Sequence, residues 1–342
     1  MNAEKRQVLT NSSLTTFKIC PRRYEFRYEQ GYVPAEERKA LYFGKLFHAG
    51  LEAWGNAEPG AALADAIEAV EIMVNAAEEP DEYAKVTAIA LLEGYDLRYK
   101  NDEYEVVECE KEFRAPLLNP DTAAESRLFI LGGVIDKILK KDGRHFIQET
   151  KTTSDDISPE SDYWRRLLID SQISTYYIGA EANGIKIESC IYDVIRKPSI
   201  RPGKATPQEN RKYTKDGRLY AAQREVDETP MEFFARLKQD VLERPDFYYA
   251  RKEVPRSEND LAEFYMDAWH TSQSMRAFQL NGRFPRFTNS CMTYYGKCPY
   301  FNVCTGMTTL DDPDQFKKIE NAHQELKSLS NGHKAEKQKE AV

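Results

Sequence analysis

An α/β fold with a mixed central sheet is the fold class this sequence predicts, and three observations predict it. Predicted strands and helices run in the order strand, strand, strand, helix, strand; an Asp-Gly pair marks a tight hairpin in mid-chain; further helical segments lie on both sides of that core. Asn11 and Ser12 are candidate caps ahead of Leu14, Phe17 and Ile19, and Pro21 breaks or restarts that first helix. Phe43, Phe47, Leu51 and Trp54 recur at helical spacing over 41–54, and two more helices fit 61–77 and 82–100. Extended segments follow at 105–113, 128–140 and 145–151, then a helix at 164–182 and a strand at 186–194. Late helices fit 230–242 and 259–280. From Pro313 onward the chain is rich in Lys, Glu, Asn and Ser, which reads as a solvated helix fraying into a disordered tail. With 342 residues and no internal repeat, the expected organisation is one domain over 1–312. It comprises an N-terminal helical part (1–103), a core (104–196), and a C-terminal helical part with cysteines (228–312), followed by a polar tail (313–342).

No apolar run approaches the roughly 18 residues that span a bilayer, and no signal-peptide pattern opens the chain, so a soluble cytoplasmic protein is expected. The net charge of −8 argues against a general polyanion binder. One local exception is the 196–218 loop. There Arg196, Lys197, Arg201, Lys204, Arg211, Lys212, Lys215 and Arg218 face only Glu209 and Asp216, among Pro198, Pro202, Gly203, Pro207 and Gly217. Such a stretch reads as a long, mobile, basic loop: either a solvated insertion or a wrap around a phosphate backbone.

The hairpin carries the chemistry. With Asp142-Gly143 as a two-residue turn, Lys141 faces Arg144, and the same register sets Asp136 across from Glu149. Lys151 lies on that face two positions further along, opposite Val134. Like charges directly across two strands are destabilising. A divalent cation offsets that repulsion, and two carboxylates are the usual protein contribution to a Mg²⁺ site. Such a metal lowers the pKa of water and polarises a phosphate, and Lys151 is placed to orient the nucleophile or stabilise transition-state charge. Gly132 and Gly133, inside a strand, suggest a bulge or a close backbone approach. The plainer alternative for Asp136, Glu149 and Lys151 is an exposed, charged sheet face. Gln172 and Tyr176 are four apart on the next helix and share a face, with an ordinary half-exposed surface as the alternative. His48, on an early helix, is either packed among its neighbours or a neutral imidazole that completes a metal's ligand set.

Taken in order, these residues resemble the RecB-like branch of the PD-(D/E)XK nuclease superfamily. His48 matches its helical histidine, Gly133 to Asp136 its G-x-x-D strand, Glu149-Thr150-Lys151 its E-x-K, and Gln172 to Tyr176 its Q-x-x-x-Y helix. The proline of the superfamily's name is missing, since Ile135 precedes Asp136. The resemblance implies a restriction-endonuclease-like core, with His48, Asp136 and Glu149 as ligands to Mg²⁺ or Mn²⁺. It also makes Lys151 the catalytic lysine, and Gln172 and Tyr176 residues that position DNA or support the site.

Six cysteines are present. Cys109 and Cys190 fall in predicted strands and read as buried thiols. Cys291, Cys298 and Cys304 form a compact triplet, with Cys20 far upstream. Zinc ribbons use closely spaced pairs, which this spacing fits poorly, and four thiolates around an iron–sulfur cubane fit better. Free thiols in a reducing compartment are the third reading. The chain resembles the iron–sulfur-containing subgroup of RecB-like nucleases, including AddB-type and CRISPR-associated members. That likeness implies a [4Fe–4S] cluster on Cys20, Cys291, Cys298 and Cys304, tying the terminal helical parts together.

The expected activity is Mg²⁺- or Mn²⁺-dependent hydrolysis of DNA, as an exonuclease acting on ends or single strands, with Arg196, Lys197, Arg201 and Lys204 gripping the backbone. The competing reading is a non-catalytic nuclease-like module that binds DNA or a partner. No G-x-x-x-x-G-K-[ST] loop occurs, so a helicase or recombinase acting in trans is the expected motor.

Overall fold

The computed structural model describes residues 6–36, 39–58, 60–294, 296–324 and 326. Strand β1 (Gln7–Leu9) leads into α1 (Asn11–Ile19) and the single turn α2 (Pro21–Tyr24), which runs on as a π-helical turn over Glu25–Glu29 before β2 (Tyr32–Pro34). Helices α3 (Lys39–Asn56), α4 (Ala62–Asn75) and α5 (Glu82–Tyr99) precede strands β3 (Glu105–Leu118), β4 (Glu125–Lys141) and β5 (Arg144–Thr153). Next come α6 (Asp162–Leu167), α7 (Ser171–Ala182) and β6 (Ile187–Arg196). Beyond the largely irregular 197–229 lie α8 (Pro230–Glu243), α9 (Pro245–Tyr248), β7 (Tyr249–Val254) and α10 (Glu258–Asn281). The short hairpin β8 (Met292–Thr293) and β9 (Gly296–Lys297), the turn α11 (Phe301–Cys304) and β10 (Phe316–Lys318) complete the order.

The main sheet is mixed, in the order β1-β4-β5-β6-β7 with β3 also on β4. β3 runs antiparallel along nearly the whole of one β4 edge. The other edge is therefore shared: β5 pairs with it from Lys141 down to Lys137, and β1 pairs in parallel with Phe129–Leu131. Between those two partners, residues 132–136 of β4 border a notch in the sheet. One face of the sheet packs on α1, α7 and α10 through Phe17, Phe113, Ile147, Tyr176 and Met275. The other face packs on α3, α4, α5 and α8 through Phe47, Leu91, Tyr95, Leu237 and Tyr249. Burying both faces forces the middle strands to be apolar on each side, apart from the few polar positions that make the site.

The hairpin register is the expected one: Lys141 faces Arg144 and Lys137 faces Gln148. Asp142 and Gly143 have φ values of 50° and 77°, both left-handed, as a turn compatible with strand twist requires. At Gly132 and Gly133 the described structure has close approach and no register shift. A Cβ on Gly133 would lie 2.9 Å from the Phe113 ring, and one on Gly179 of α7 would lie 2.4 Å from the same ring.

Four expectations are corrected. The predicted helix over 164–182 is two helices, because Asp170 turns out of the helix and caps α7 by accepting from the Gln172 amide at 2.9 Å. The Arg256 guanidinium also donates to the Leu167 and Asp170 carbonyls at that break, at 3.1 and 2.8 Å. The first helix is capped by Thr10, in a reciprocal pair with Ser13, rather than by Asn11 or Ser12. The polar segment after Pro313 is no solvated helix at its start: Phe316 is buried and β10 pairs with β2. Residues 327–342 of the expected tail lie outside the described residues. The basic segment is tied down rather than a free loop. Buried Glu228 accepts from the Gly203 amide at 2.6 Å and from Arg236, and Asp227 accepts from the Ala205 amide at 2.8 Å. Among the described residues no helix is long and apolar enough to cross a membrane.

Candidate active site

β4, β5, α3 and α7 bring six of the predicted residues to the notch. Ile147, Glu149 and Lys151 alternate along β5 toward α7, with Tyr192 beside Glu149 on β6. Continuing the observed register past Lys137 and Gln148 sets Asp136 beside Glu149, and here the strands part. Asp136 Oδ2 accepts from the Thr150 amide at 3.0 Å, so its side chain takes the place of the missing ladder bond. His48 Nδ1 stands 3.7 Å from the same Asp136 oxygen. The Lys151 ammonium donates to Glu149 Oε1 and, at 2.5 Å, to Gln172 Oε1. The Gln172 amide nitrogen donates to the Tyr176 hydroxyl at 2.6 Å. The four-residue spacing of Gln172 and Tyr176 on one helix face is what lets that chain close.

Glu149 is 2 % exposed, and its Oε2 is buried with no hydrogen-bond partner among the described residues. Burial first, and then the Asp136 charge, push its carboxyl up to about 8, against the opposing pull of Lys151. The attraction of Glu149 and Asp170, opposed by burial, holds the Lys151 ammonium above its usual range, so it stays a cation. Burial, and the charges of Glu149 and Asp136, raise the Tyr176 hydroxyl, so it stays neutral. A buried carboxylate oxygen without a donor is costly unless something else meets it. An electropositive ion beside Glu149 and Asp136 is the chemistry that meets it, and two carboxylates suit a hard divalent cation, although among the described residues His48 is not drawn in closely enough to make a three-residue ligand set with them.

Sequence reasoning missed two acidic residues here. Asp170 caps α7, accepts from the Tyr192 hydroxyl at 2.9 Å and acts electrostatically on both Glu149 and Lys151. Its signal was an Asp just ahead of Ser171-Gln172, hidden by running one helix through 164–182. Glu110 lines a cavity of about 210 Å³ together with Asp136, Gly133, Gln172 and Tyr176. Counting across the β3–β4 register finds it, but only once that register is known.

The remaining predicted residues lie further out. Arg196 ends β6 and Lys197 follows it, level with Thr153 of β5. The Arg196 guanidinium sits 4.3 Å from the Phe247 ring centre and 3.5 Å from Asp156. The Lys197 ammonium sits 5.3 Å from the Phe43 ring centre on α3. Arg201 and Lys204 belong to the folded excursion beyond, where Arg236 binds the Arg201 carbonyl and Lys204 pairs with Asp227 at 2.8 Å.

All six cysteines are free thiols. Cys20, between α1 and α2, accepts from the Phe287 amide at 3.5 Å, and the Cys298 amide donates to the Cys291 carbonyl at 2.9 Å. Burial raises the Cys298 and Cys304 thiols, and each also feels Cys20 and Cys291. The four thiols thus share one neighbourhood although Cys20 is remote in sequence. Among the described residues, however, no three His, Cys, Asp or Glu side chains are drawn close enough to hold one metal ion. Cys190 is buried as expected, whereas Cys109 is only partly so.

Asp136, Glu149 and Lys151 thus sit together where one edge of β4 is shared between two strands. The family model of the PD-(D/E)XK nuclease superfamily matches residues 8–305, and the chain belongs to that superfamily. Among solved structures, the chain is similar to the protein SSO0001, with 16 % identity over 71 % of this chain and 78 % of that one, at a TM-score of 0.26. It is also similar to a phage-related exonuclease from Haemophilus somnus 129PT, with 12 % identity over 69 % and 94 % and a TM-score of 0.30. No curated protein matches the chain.

Proposed function

We propose that the chain is a divalent-metal-dependent deoxyribonuclease that hydrolyses phosphodiester bonds at DNA ends or in single strands. The observation that carries this reading is the buried Oε2 of Glu149, without a hydrogen-bond partner among the described residues, beside Asp136 and with the Lys151 ammonium held against the same carboxylate. His48, Asp136 and Glu149 would hold Mg²⁺ or Mn²⁺. When bound, the ion supplies Lewis acidity toward a phosphate oxygen and a more acidic water. Lys151 supplies a fixed positive charge where the attacked phosphate gains negative charge. Gln172 and Tyr176 hold that ammonium in place, and Asp170 fixes the helix that carries them. Arg196 and Lys197 grip the phosphate backbone next to the site, with Arg201 and Lys204 extending the contact outward.

The test is cleavage of end-labelled linear DNA in Mg²⁺ or Mn²⁺ by Glu149→Ala and Lys151→Ala. Each loses on the order of 10²–10³-fold or more in rate while keeping the wild-type circular-dichroism spectrum. Wild-type rates in both variants would sink the assignment, and tight DNA binding without cleavage by any metal-loaded protein would favour a binding module. A helicase or recombinase supplies the motor in trans on this reading; co-purification that returns no DNA-processing partner counts against it.

The cysteine neighbourhood supports a second element of the proposal, a [4Fe–4S] cluster on Cys20, Cys291, Cys298 and Cys304. Four unpaired thiols drawn from opposite ends of the chain, beside Arg22 and Arg23, form a donor set suited to an anionic thiolate cluster. Anaerobically purified protein is then brown with a broad visible band; a colourless protein carrying zinc overturns it.

A further inference from the structure

Two cavities open at opposite ends of α1. The notch cavity is lined at its helix end by Thr10, Asn11 and Ser12. A larger one, of about 750 Å³, lies at the other end, between Ile19 and Arg23 on one side and the 286–299 segment on the other. Its volume falls in the roughly 300–1,000 Å³ range of sites that enclose small ligands. Ser12 and Ile19 are two helical turns apart, so they share one face of α1, and both are exposed. Thr15 and Thr16 fall on that face between them. One uncharged, hydroxyl-bearing side of α1 therefore joins the two cavities, with a rise from Ser12 to Ile19 of about 10 Å.

The lining of the larger cavity is cationic and aromatic. Arg23, Arg286 and Lys297 contribute to it, and among the described residues no carboxylate does. That local balance runs against the net charge of −8 for the whole chain. The Arg286 guanidinium donates to the Cys304 carbonyl at 2.7 Å, and the Lys297 ammonium to the Asn302 side-chain oxygen at 3.2 Å. Both acceptors are neutral, so these bonds aim the two cations without cancelling their charge. Phe287 also lines the cavity and is 46 % exposed, an apolar ring half open to solvent. Cations beside an open aromatic face are the combination that holds single-stranded nucleic acid. The cations meet phosphates, and the ring stacks on a base of any identity.

We propose that this cavity is a strand-binding subsite of the nuclease, stacking one DNA base on Phe287 and binding the flanking phosphates through Arg23, Arg286 and Lys297. This rests on the nuclease reading of the notch and adds a second point of hold to it. A stacked strand advances about 3.4 Å per nucleotide, so the face of α1 corresponds to about three nucleotides between the cut bond and the stacked base. Thr15 and Thr16 offer hydroxyl donors to the phosphates in between. A strand too short to span α1 loses the hold.

The experiment measures KM in Mn²⁺ for single-stranded oligonucleotides of graded length, from a trinucleotide to a dodecanucleotide. Alongside it, binding of a labelled dodecathymidylate is followed at graded salt with chelator present. Wild type is expected to show a fall in KM on the order of 10-fold once the strand exceeds about four nucleotides. Phe287→Ala flattens that step, and Phe287→Trp, which still stacks, keeps it. Lys297→Gln lowers the slope of log Kd against log salt by about 0.7, the share of one phosphate contact on a single strand. A wild type with no length step, a step that survives in Phe287→Ala, or an unchanged salt slope in Lys297→Gln overturns the subsite while leaving the nuclease reading intact. A wild type that cuts no strand of any length overturns both.

Discussion

On the face of the hairpin turned toward α5, the Gln148 amide donates to Asp193 and, at 3.1 Å, to the Tyr95 hydroxyl, which in turn donates to Asp193 at 2.7 Å. Arg251 closes that cluster with two bonds to Asp193, at 2.5 and 2.6 Å, and one to Asp102. One residue along, on the face turned toward α7, Glu149 is just as buried as Gln148, yet one of its oxygens is left without a partner among the described residues. Both clusters are built from neighbouring residues of β5 and β6, and both bury charge. They differ in closure. Asp193 meets a bidentate guanidinium under α5, whereas Glu149 meets a second carboxylate at a fork that opens to a cavity. Burial of charge alone therefore does not mark the site; incomplete satisfaction beside an opening does.

The largest effect that separates the two clusters is on folding. Asp193→Ala removes two of the carboxylate bonds of the mostly buried Arg251 guanidinium, leaving the one to Asp102, and should cost about 3 kcal/mol in urea unfolding. Mn²⁺ binding by the folded fraction stays at the wild-type level. A loss of metal binding at unchanged stability would show that the two clusters are one functional unit.

An intermediate effect is expected from Glu149→Gln in metal-free protein. The carboxyl of Glu149 is raised in the folded chain from 4.5 to about 8. The fold therefore favours its protonated form, and that stabilisation is complete below the ordinary value and lost as pH rises through about 8. Melting temperature with chelator present should fall across that window in wild type, and fall less in Glu149→Gln. Saturating Mg²⁺ should remove the difference above the window, because the ion favours the charged form. Parallel pH profiles for the two proteins would contradict the half-satisfied reading of this face.

The smallest effect belongs to the exception on the closed face. Lys137 is 3 % exposed, and its ammonium has no hydrogen-bond partner among the described residues, lying 5.3 Å from the Trp54 ring centre and 6.0 Å from that of Tyr95. Burial lowers its pKa. Lys137→Met removes a poorly solvated charge along with these ring contacts, so stability should change by less than about 1 kcal/mol, with a gain as plausible in sign as a loss. DNA cleavage should persist. A loss of several kcal/mol would mean that the closed cluster depends on this amine.

Much of this molecule is legible in local sequence. Helical spacing marks α3, α5, α8 and α10, and Asp142-Gly143 sets the register that puts Asp136 beside Glu149. Those features depend on side-chain periodicity and turn chemistry, which neighbours along the chain determine. The split between α6 and α7 was less legible, because Asp170 resembles a mid-helix residue until Arg256, from a distant segment, takes the carbonyls at the break. β1, β2, β7 and β10 are six residues or shorter and gain their identity from the strands they join, which no local pattern records.

The sequence by itself singled out the candidate residues that the fold gathers at the notch, and their order: His48, Asp136, Glu149, Lys151, Gln172 and Tyr176. Only the tertiary structure decided that β1 and β5 share one edge of β4 and so open a notch at Asp136, and that Glu110 lies across from that aspartate. The physical reason is that strand neighbours and strand faces are set by pairing between remote segments. A cross-strand charge row exists only after those pairings form.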